Sequence, residues 1–301
     1  MTNRGVVTAS LIGMLALAGC SSGGDSGWVV EGGPQGSGVE NGTGAGAITW
    51  EEEVAAGTMP ACLDNPMGTI ADFNVLVFGD LTQSYTDIEG RVAVGGNATL
   101  NGFYAGALLP YDITRFDLVV RGNLVFENGA VRNGAIVYAG SGSIAENVTS
   151  DRMVQGTVPV DFTATGSILV EMSQQLGLLP VNGSTTVGES DGVRHAITLV
   201  GSNVINVFSV NGADLANAYQ LAIQAPENAS VLVNVRGLGP FNFVNMGTFL
   251  TGGITADHVM FNFPDAPPPV NGQPGSTMRI EGVQFLGSIL APNVSVSFPQ
   301  G

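Results

Sequence analysis

Lysine is absent from this chain of 301 residues, so its nine basic residues are all arginine. Charged residues of every kind make up only 11% of the sequence, yet 25 residues are acidic, which gives a formal net charge of −16. A surface this acidic repels phosphate backbones and anionic lipid head groups. The composition therefore disfavours nucleic acid as a partner and disfavours electrostatic binding to membranes.

Residues that carry chemistry are also scarce. The two histidines, His195 and His258, lie far apart in the sequence and outside any metal-spaced motif, so a zinc site is not expected. We predict no strand-to-helix elbow of the G-x-S-x-G type, which would position a nucleophilic serine. We therefore predict no catalytic residue, and we expect a protein that is not an enzyme.

Long hydrophobic runs are missing beyond the N-terminus, where no apolar stretch approaches the ~18 residues that cross a bilayer. The N-terminus itself has a shorter apolar stretch, Val6 to Leu17, which follows Arg4 and precedes Ala18-Gly19-Cys20. A basic start, a short apolar segment and small residues before the cleavage point are typical of an export signal. We expect residues 1–19 to be removed as a signal peptide.

Cys20 closes the run Leu17-Ala18-Gly19-Cys20, which resembles a bacterial lipobox. In lipobox proteins the cysteine carries a diacylglycerol and a further acyl chain such as palmitate, and several acyl chains hold a protein stably to a membrane. The resemblance implies export and a lipid anchor, in the outer membrane or at the cell surface, and Ser21 favours the outer membrane of a Gram-negative host. The alternative is an ordinary secretory signal with a chance cysteine. With Cys20 lipidated, Cys62 has no partner in the chain.

Residues 20–60 are rich in glycine, serine and small polar residues and develop no apolar period. Such a sequence is typical of a flexible coil, which at this length spans on the order of 35 Å. We therefore predict a lipidated tether over residues 20–60, followed by a folded domain over residues 61–301.

From about Ala61 the sequence changes to short strings of Val, Ile, Leu and Phe bounded by Gly, Asn and Asp. Short apolar strings between turn formers predict strands rather than helices. The strings are FNVLVFGD (73–80), IEGRVAVGGN (88–97), DLVVRGN (117–123), GAIVYAG (134–140), AITLVG (196–201), NVINVFSV (203–210), YQLAIQ (219–224), SVLVNVRG (230–237), HVMFNF (258–263) and GSILAPNVSVSF (287–298). The domain is therefore expected to be dominated by β-structure, and a doubly wound α/β fold is excluded.

A loose repeat occurs at an offset of 26 residues, where the run 92–97 followed by Leu100 resembles the run 118–123 followed by Phe126. An offset of this size suits one turn of a solenoid, in which each short strand has a neighbour above and below. Gly and Asn at the corners supply the left-handed conformations that sharp bends require. The sequence thus favours a β-solenoid, and a β-sandwich is the alternative.

One segment, DFTATGSILVEMSQQLG, breaks the strand pattern. Its apolar side chains fall on or beside one helical face, and they are Phe162, Ile168, Leu169, Met172 and Leu176. Asp161 suits the N-cap position and Gly177 the C′ position. We predict one α-helix over residues 162–176 that packs alongside the strands.

Several ordered blocks resemble the bacterial choice-of-anchor A domain. They are FNVLVFGDLTQSYTDIEGRVAVGGNATLNGFYAG (73–106), DFTATGSILVEMSQQL, INVFSV, IQAPENASVLVNVRG, VMFNFPDA and FLGSILAPNVSVSF. The resemblance covers about residues 70–301 and implies a right-handed β-solenoid with a helix alongside, in surface proteins of the adhesin type, some of them collagen-binding. That family usually continues with a further glycine-rich strand, whereas this sequence stops at Pro299-Gln300-Gly301, so the last rung would be missing or supplied differently. The family has no agreed catalytic residues to carry over.

Asp80, Asp87 and Glu89 fall close together in the sequence and are the weak candidates for a metal site. Calcium takes six to eight oxygen ligands, of which these carboxylates could supply some. Asp87 and Glu89 share side-chain parity on a strand, and a cleft that joined them to Arg91 would favour an enzyme or a calcium-dependent polysaccharide binder. The alternative is a set of surface acids that keeps an apolar domain soluble. We expect no other cofactor.

These observations lead to a lipid-anchored, adhesin-type binding module whose ligand is an extracellular protein or glycan, with its ligand-binding residues unknown. The alternatives are a structural surface or biofilm-matrix component, and a calcium-dependent polysaccharide-binding or ice-binding solenoid. An ice-binding face needs regularly spaced hydroxyls, and Thr163, Thr165, Thr248 and Thr251 form no ladder in the sequence. An exposed, patterned face would favour adhesion, and a featureless acidic surface would favour the structural role.

Overall fold

The computed structural model describes residues 9–10, 68–188, 194–271 and 275–298. The predicted tether (20–60) with Cys20, the residue Cys62 and most of the predicted signal peptide (1–19) lie outside the described residues. Within them the protein is mostly β, with two α-helices and two 3₁₀ turns.

Ten strands precede the long helix, and they are β1 (Ala9–Ser10), β2 (Phe73–Val77), β3 (Leu81–Ile88), β4 (Arg91–Val94), β5 (Ala98–Ala105), β6 (Phe116–Val120), β7 (Leu124–Val131), β8 (Ala135–Tyr138), β9 (Gly142–Ile144) and β10 (Arg152–Gln155). The long helix is α1 (Phe162–Leu178). After it come β11 (Ser184–Val187), β12 (His195–Val200), β13 (Ile205–Asn211), the short helix α2 (Gly212–Ala216), β14 (Ala218–Gln224), β15 (Ser230–Arg236), β16 (Phe241–Val244), β17 (Gly247–Thr251), β18 (Val259–Asn262), β19 (Ser276–Glu281), β20 (Ser288–Leu290) and β21 (Val294–Ser297). The 3₁₀ turns are Gly68–Asp72 and Ala256–His258.

The strands form five sheets, here numbered I to V. Sheet I has the order β1-β2-β4-β6-β8-β10, sheet II β3-β5-β7-β9, sheet III β11-β12-β14-β17, sheet IV β13-β15-β18-β20 and sheet V β16-β19-β21. Among the described strand pairs, only β1–β2 and β11–β12 are antiparallel. A β-sandwich is built from antiparallel sheets, so the sandwich alternative is wrong.

The 26-residue offset seen in the sequence is the register of two pairs of neighbouring strands. Val92 pairs with Leu118 between β4 and β6, and Leu100 pairs with Phe126 between β5 and β7. From β2 to β10 the chain alternates between sheets I and II, and each return places a strand parallel beside the previous strand of that sheet. From β12 to β21 it moves among sheets III, IV and V, and each return again adds a parallel strand.

A ladder of polar residues forms the corner between sheets I and II. The backbone N–H of Asn97 donates to Asp80 Oδ1 at 2.7 Å, and that of Asn123 donates to Asn97 Oδ1 at 2.9 Å. The backbone N–H of Ser141 continues the ladder by donating to Asn123 Oδ1 at 2.8 Å. A Cβ on Gly96 would lie 2.2 Å from Asp80 Oδ1, so only glycine fits where the backbone passes this corner. Stacked corners of this kind fix the register of successive strands.

The interior is filled by inward side chains from all five sheets, which form one continuous cluster. Its largest fully buried members are Phe103, Phe126, Phe208, Phe241, Phe243, Phe261 and Phe263. Several of these rings meet edge to face, as Phe241 and Phe263 do with centroids 4.8 Å apart. Burial of each such side chain contributes about 1.5–3 kcal/mol relative to exposure in water, so this cluster is the main source of stability.

The long helix begins where the sequence predicts. Asp161 is its N-cap, and Asp161 Oδ1 accepts hydrogen bonds from the backbone N–H groups of Thr163 and Ala164, both at 3.0 Å. Two N–H groups that have no partner within the helix are satisfied in this way. The predicted N-terminus of α1 is thus confirmed.

The end of the helix differs from the prediction. Gly177 is not the C′ residue, because α1 continues to Leu178 and has Leu179 at its C-cap. Gly177 is instead a buried helical residue against Pro264, and a Cβ there would lie 2.6 Å from the proline ring. Close packing, rather than a left-handed turn, explains this glycine.

The packed face of α1 also differs in part from the prediction. Its buried residues are Phe162, Thr165, Leu169, Ser173 and Gly177, and Met172 and Leu176 are partly buried beside them. Ile168, which was expected beside this face, is 48% exposed. Small residues at positions 165, 173 and 177 let the helix lie close to the sheets.

Helix α1 lies across the outer faces of sheets I and IV. Beneath it is a second apolar cluster, formed by Leu76, Ala93, Val119 and Val137 of sheet I and by Val207, Leu232, Met260 and Leu290 of sheet IV. Strands covered on both faces in this way read as continuous apolar strings in the sequence. We call these covered surfaces of sheets I and IV the helix-covered face.

A buried polar network also fastens α1 to sheet IV. Asn262 Nδ2 donates to Ser173 O and to Asn234 Oδ1, both at 2.8 Å, and Ser173 Oγ donates to Asn262 Oδ1 at 2.6 Å. Asn234 Nδ2 donates to Leu176 O at 2.9 Å. The network therefore provides hydrogen-bond partners for the side-chain amides of two buried asparagines. It also provides a donor for a carbonyl in the last turn of the helix.

Candidate functional site

Sheet III presents a bare surface without formal charge. Its four strands, β11, β12, β14 and β17, contain no Asp, Glu, Lys or Arg. This is unusual in a chain with a net charge of −16. No helix lies over this sheet among the described elements, whereas α1 packs over sheets I and IV.

Alternation along the strands decides which side chains face outward. Ile197, Leu199, Leu221 and Ile223 point inward and are fully buried, so their neighbours in sequence point to solvent. The outward residues are Ser184, Thr186, Ala196, Thr198, Val200, Gln220, Ala222, Gln224, Gly247, Phe249 and Thr251. We call this set, together with Tyr219 at its edge, the neutral face.

The neutral face is arranged in straight rows because the strands are in register. One row runs Thr186, Thr198, Ala222 and Phe249, and the next runs Ser184, Val200, Gln224 and Thr251. Neighbouring strands lie about 4.8 Å apart, so each row repeats at that spacing across the sheet. The result is a patterned surface of small polar and apolar groups.

Two exposed aromatic rings stand on this face. Phe249 is 52% exposed and Tyr219 is 45% exposed. One edge of the Phe249 ring comes close to Gly247, where an added Cβ would lie 2.9 Å from Phe249 Cε2, so the absence of a side chain at Gly247 makes room for the ring. Tyr219 is the extra residue at a bulge, where the β12–β14 register shifts between His195 and Ala196.

The other uncovered sheets carry charge on their outer surfaces. Sheet II exposes Asp87 on β3 and Glu127 on β7. Sheet V carries the Arg279–Glu281 ion pair on β19. Among the uncovered sheets in the described part of the chain, sheet III is therefore the one whose strands lack ionic side chains.

The acids proposed for a metal site lie at opposite ends of one strand. Asp80 precedes β3 and accepts the Asn97 N–H at the corner ladder, whereas Asp87 and Glu89 lie exposed near the other end of that strand. Within the described residues, no group of three or more His, Cys, Asp or Glu side chains is placed to hold a metal ion. The structure does not bring Asp80, Asp87 and Glu89 together.

Arg91 does not form the cleft with Asp87 and Glu89 that an enzyme would need. Its guanidinium stacks on Phe73 with 4.1 Å to the ring centroid, and its Nε donates to Phe116 O at 3.1 Å. Burial lowers the pKa of Arg91, although Asp72 and Asp117 oppose that shift. Arg91 thus links β4 to the neighbouring strands β2 and β6 of sheet I.

The remaining described arginines are engaged in the same manner. Each contacts a carboxylate, a backbone carbonyl or an aromatic ring, and they are Arg115, Arg121, Arg132, Arg152, Arg194, Arg236 and Arg279. Arg115 forms a two-point pair with the fully buried Asp117, at 2.7 and 3.0 Å, and this hydrogen bonding raises the pKa of Arg115. The guanidinium groups of the described arginines, which could otherwise bind an anionic ligand, thus make their contacts within the fold.

The histidines and the threonines considered from the sequence fall at separate places. His195 Nε2 lies 2.9 Å from Asp214 O, and His258 is buried in the 3₁₀ turn before β18. Thr163 and Thr165 lie on α1, and only Thr165 is buried. The Thr248 hydroxyl donates to Gln284 O, while Thr251 faces outward on the same strand. These four threonines form no ladder in the structure.

Sequence reasoning did not identify the neutral face. Two of its strands were predicted from the strings AITLVG and YQLAIQ, whereas β11 and β17 were not. The available signal was the lack of Asp, Glu, Lys and Arg from β11, β12, β14 and β17 in an otherwise acidic chain. That signal identifies a surface only after the sheet topology has placed the four segments side by side.

No described helix has the length and apolar character needed to cross a membrane. Comparison with curated proteins gives no match, and comparison with solved structures gives none. A family model does match, over residues 66–301, and its description is that of an adhesive domain. That description is consistent with a surface-exposed protein that has a role in adhesion. Since the match spans most of the sequence, this chain belongs to the family named Putative Ice-binding-like adhesive domain.

Proposed function

We propose that this protein is a cell-surface adhesin that makes its contacts through the neutral face. The observation that carries the proposal is a bare, in-register sheet surface without formal charge in a strongly acidic chain of an adhesive-domain family. Exposed apolar and aromatic groups collected on one surface mark an interaction site. The bonded arginines and separated carboxylates give no comparable support to an enzyme.

The fold in which this face sits is, in our proposal, a right-handed β-solenoid of the choice-of-anchor A type. Parallel strands that return to the same sheet, and corner residues that bind the corner before them, support it. The long strands of sheet II also bend at equivalent points, with a positive φ of 53° at Tyr85 and 61° at Gly102. Stacked coils of this kind would give a long, rigid surface for adhesion.

Attachment to the cell is proposed to occur through lipid on Cys20, with residues 20–60 as the tether. The support is the lipobox-like run that ends at Cys20 and the Gly/Ser-rich sequence after it. Several acyl chains would anchor the protein stably, and the coil would hold the domain away from the membrane. A Cys20→Ser chain should leave the membrane fraction, whereas Cys62→Ser should stay in it. Equal membrane association of both variants would refute the anchor.

Adhesion is tested with cells that display the full chain, using two glutamate variants at exposed sheet positions. Ala222→Glu places a charge in the middle of the neutral face, and Thr99→Glu places one on the outer surface of sheet II. We expect Ala222→Glu to reduce attachment to abiotic and polysaccharide-coated surfaces, because a charge buried in a contact is strongly unfavourable. Thr99→Glu should attach like wild type. Equal attachment of the two variants would favour the purely structural role.

Ice binding is the second candidate function, and the same surface favours it. The family description refers to ice-binding-like domains, and the neutral face is uncharged and contains adjacent hydroxyls at Thr186 and Thr198. Inhibition of ice recrystallisation by the full chain, lost in Ala222→Glu and retained in Thr99→Glu, would support this candidate. Normal recrystallisation in its presence would exclude it.

A further inference from the structure

We propose that the neutral face binds an uncharged polysaccharide, with Phe249 and Tyr219 stacking on sugar rings and Gln220 and Gln224 bonding to sugar hydroxyls. This proposal rests on the proposed adhesive function and names the ligand class of the same surface. Sheet III has the features that such a ligand requires: strands without formal charge, two exposed aromatic rings and outward side-chain amides.

Charge complementarity selects a ligand without formal charge. An ionic ligand is held by opposite charges, and the strands of the neutral face supply none. A polyanion would in addition be repelled by the net charge of −16. A polycation would be drawn toward the acidic surfaces elsewhere, such as Asp87 and Glu127 of sheet II, rather than to this face.

The two exposed rings fit the apolar sides of sugar rings. The protein buries seven phenylalanines completely, yet Phe249 is 52% exposed, with one edge of its ring close to Gly247. About half of the surface of this ring is therefore open to a ligand. A pyranose presents C–H groups on its faces, and aromatic rings provide large, rigid apolar contact area for such groups.

The amides and hydroxyls fit the rims of sugar rings. Gln220 and Gln224 lie on the same side of β14, about 13 Å apart along the strand. Each amide provides two donors and an acceptor, and the Thr198 hydroxyl on the adjacent strand both donates and accepts. Sugar hydroxyls also donate and accept, so this set can pair with them without any charged group.

The shape of the face favours a flat polymer over a protein. Protein interfaces are centred on a few bulky anchors buried in pockets. Here the middle of the face has the small residues Ala222 and Thr198, in rows that repeat at about 4.8 Å. An extended, ribbon-like chain of sugars can cross such rows and reach both rings, since Tyr219 lies on β14 three residues before Ala222, the pairing partner of Phe249.

The experiment measures depletion of the purified full chain by microcrystalline cellulose and by chitin, with calcium alginate beads as an anionic comparison. The variants are Phe249→Ala, Tyr219→Ala and Ala222→Glu on the neutral face. The matched controls are Tyr111→Ala, an exposed aromatic in the loop between β5 and β6, and Thr99→Glu on sheet II. We expect wild type to bind a neutral polysaccharide and not alginate. Each aromatic truncation should weaken binding by about ten-fold, and both controls should bind like wild type.

Failure of this inference can be told apart from failure of the proposed function. If neither neutral polysaccharide depletes the chain, while displaying cells still adhere and lose adhesion on Ala222→Glu, the ligand class is wrong and the adhesive function stands. If displaying cells do not adhere and neither polysaccharide binds, both proposals fail. If Phe249→Ala and Tyr219→Ala bind cellulose or chitin as wild type does, the assigned surface is wrong. Binding to alginate as strong as to cellulose would overturn the charge argument.

Discussion

Two consecutive strands of this protein, β14 and β15, have opposite surroundings. Strand β15 (SVLVNVR) belongs to sheet IV, and all its residues are buried except Arg236 at its end. Strand β14 (AYQLAIQ) belongs to sheet III, and its burial alternates after the bulge at Tyr219. The inner surface of each strand faces the same core, so the difference arises on the outside, where α1 covers one strand and solvent meets the other. Apolar residues on both faces follow from a covering helix, and alternation follows from its absence.

Polar residues also differ in burial between the helix-covered face and the neutral face. On the helix-covered face the amides of Asn234 and Asn262 are buried and hydrogen-bonded to each other and to α1. On the neutral face Gln220 and Gln224 extend toward solvent. A polar group beneath the helix therefore acts in stability, and one on the neutral face can act in binding. Substitutions on the two faces should therefore differ in their effect on stability.

The largest expected effect is on the network beneath the helix. Asn262→Ala removes partners from Ser173 Oγ, the Ser173 carbonyl and Asn234 Oδ1, all in a buried setting. Each buried polar group left unpaired costs about 1–3 kcal/mol, so we expect a loss of about 3–5 kcal/mol. The free energy of unfolding of the full chain in urea measures it.

Asn242→Ala on sheet V is the matched control for this substitution. Asn242 is a partly exposed strand residue, and its truncation should change stability by no more than about 0.5 kcal/mol. A similar loss of stability in both variants would show that the network does not distinguish the helix-covered face.

The next effect compares outward positions on the two faces. Leu232 points toward α1 and is 3% exposed, and Leu232→Ala should lower stability by about 2–4 kcal/mol through lost burial and a cavity. Thr198 points outward on the neutral face, and Thr198→Ala should change stability by less than about 0.5 kcal/mol. Thermal unfolding monitored by circular dichroism separates the two. Equal shifts in midpoint would mean that something also covers the neutral face.

Much of the fold could be predicted because two-sided burial leaves a strong sequence signal. Strings such as SVLVNVRG and DLVVRGN lie in sheets beneath α1, and both contain strands where expected. The missed strands are those with polar outward residues. Strand β3 (LTQSYTDI) and strand β17 (GTFLT) were not among the predicted strands, and few of their residues are fully buried. The string GSILAPNVSVSF was read as one strand but contains two, β20 and β21.

The candidate site could not be predicted because it arises from pairing between distant segments. Thr198, Ala222 and Phe249 are separated by more than twenty residues each, and the register alone places them in one row. Asp80 and Asp87 were grouped as candidate metal ligands because they are close in the sequence, but the length of β3 separates them in the structure. Helix capping, by contrast, depends on adjacent residues, and Asp161 was correctly assigned.

The N-cap gives a third, smaller test of how firmly the helix is held. Asp161→Ala removes the acceptor for two backbone N–H groups and should cost about 1 kcal/mol. Asp161→Asn keeps a capping oxygen and should lose little. If the helix is the cover that stabilises sheets I and IV, amide hydrogen exchange should rise in those sheets in the alanine variant and stay unchanged in sheet III. Uniform acceleration over all sheets would contradict a separate role for α1.

The smallest expected effect is a dependence on pH, which should be present in the loop between β5 and β6 and absent from the neutral face. In that loop the Thr114 hydroxyl and backbone N–H both donate to Asp112 Oδ1, at 2.6 and 2.9 Å, and these bonds lower the pKa of Asp112. A carboxylate with a lowered pKa contributes stability above its ordinary pKa, and that contribution is lost as the pH falls through the lowered value. Thr114→Val should therefore move the Asp112 titration, followed by carboxyl NMR, back up toward ordinary aspartate. The strands of the neutral face have no carboxylate to titrate. Adhesion should therefore stay constant over the pH range in which Asp112 becomes protonated. A loss of adhesion in the same pH range would show that this loop belongs to the binding surface.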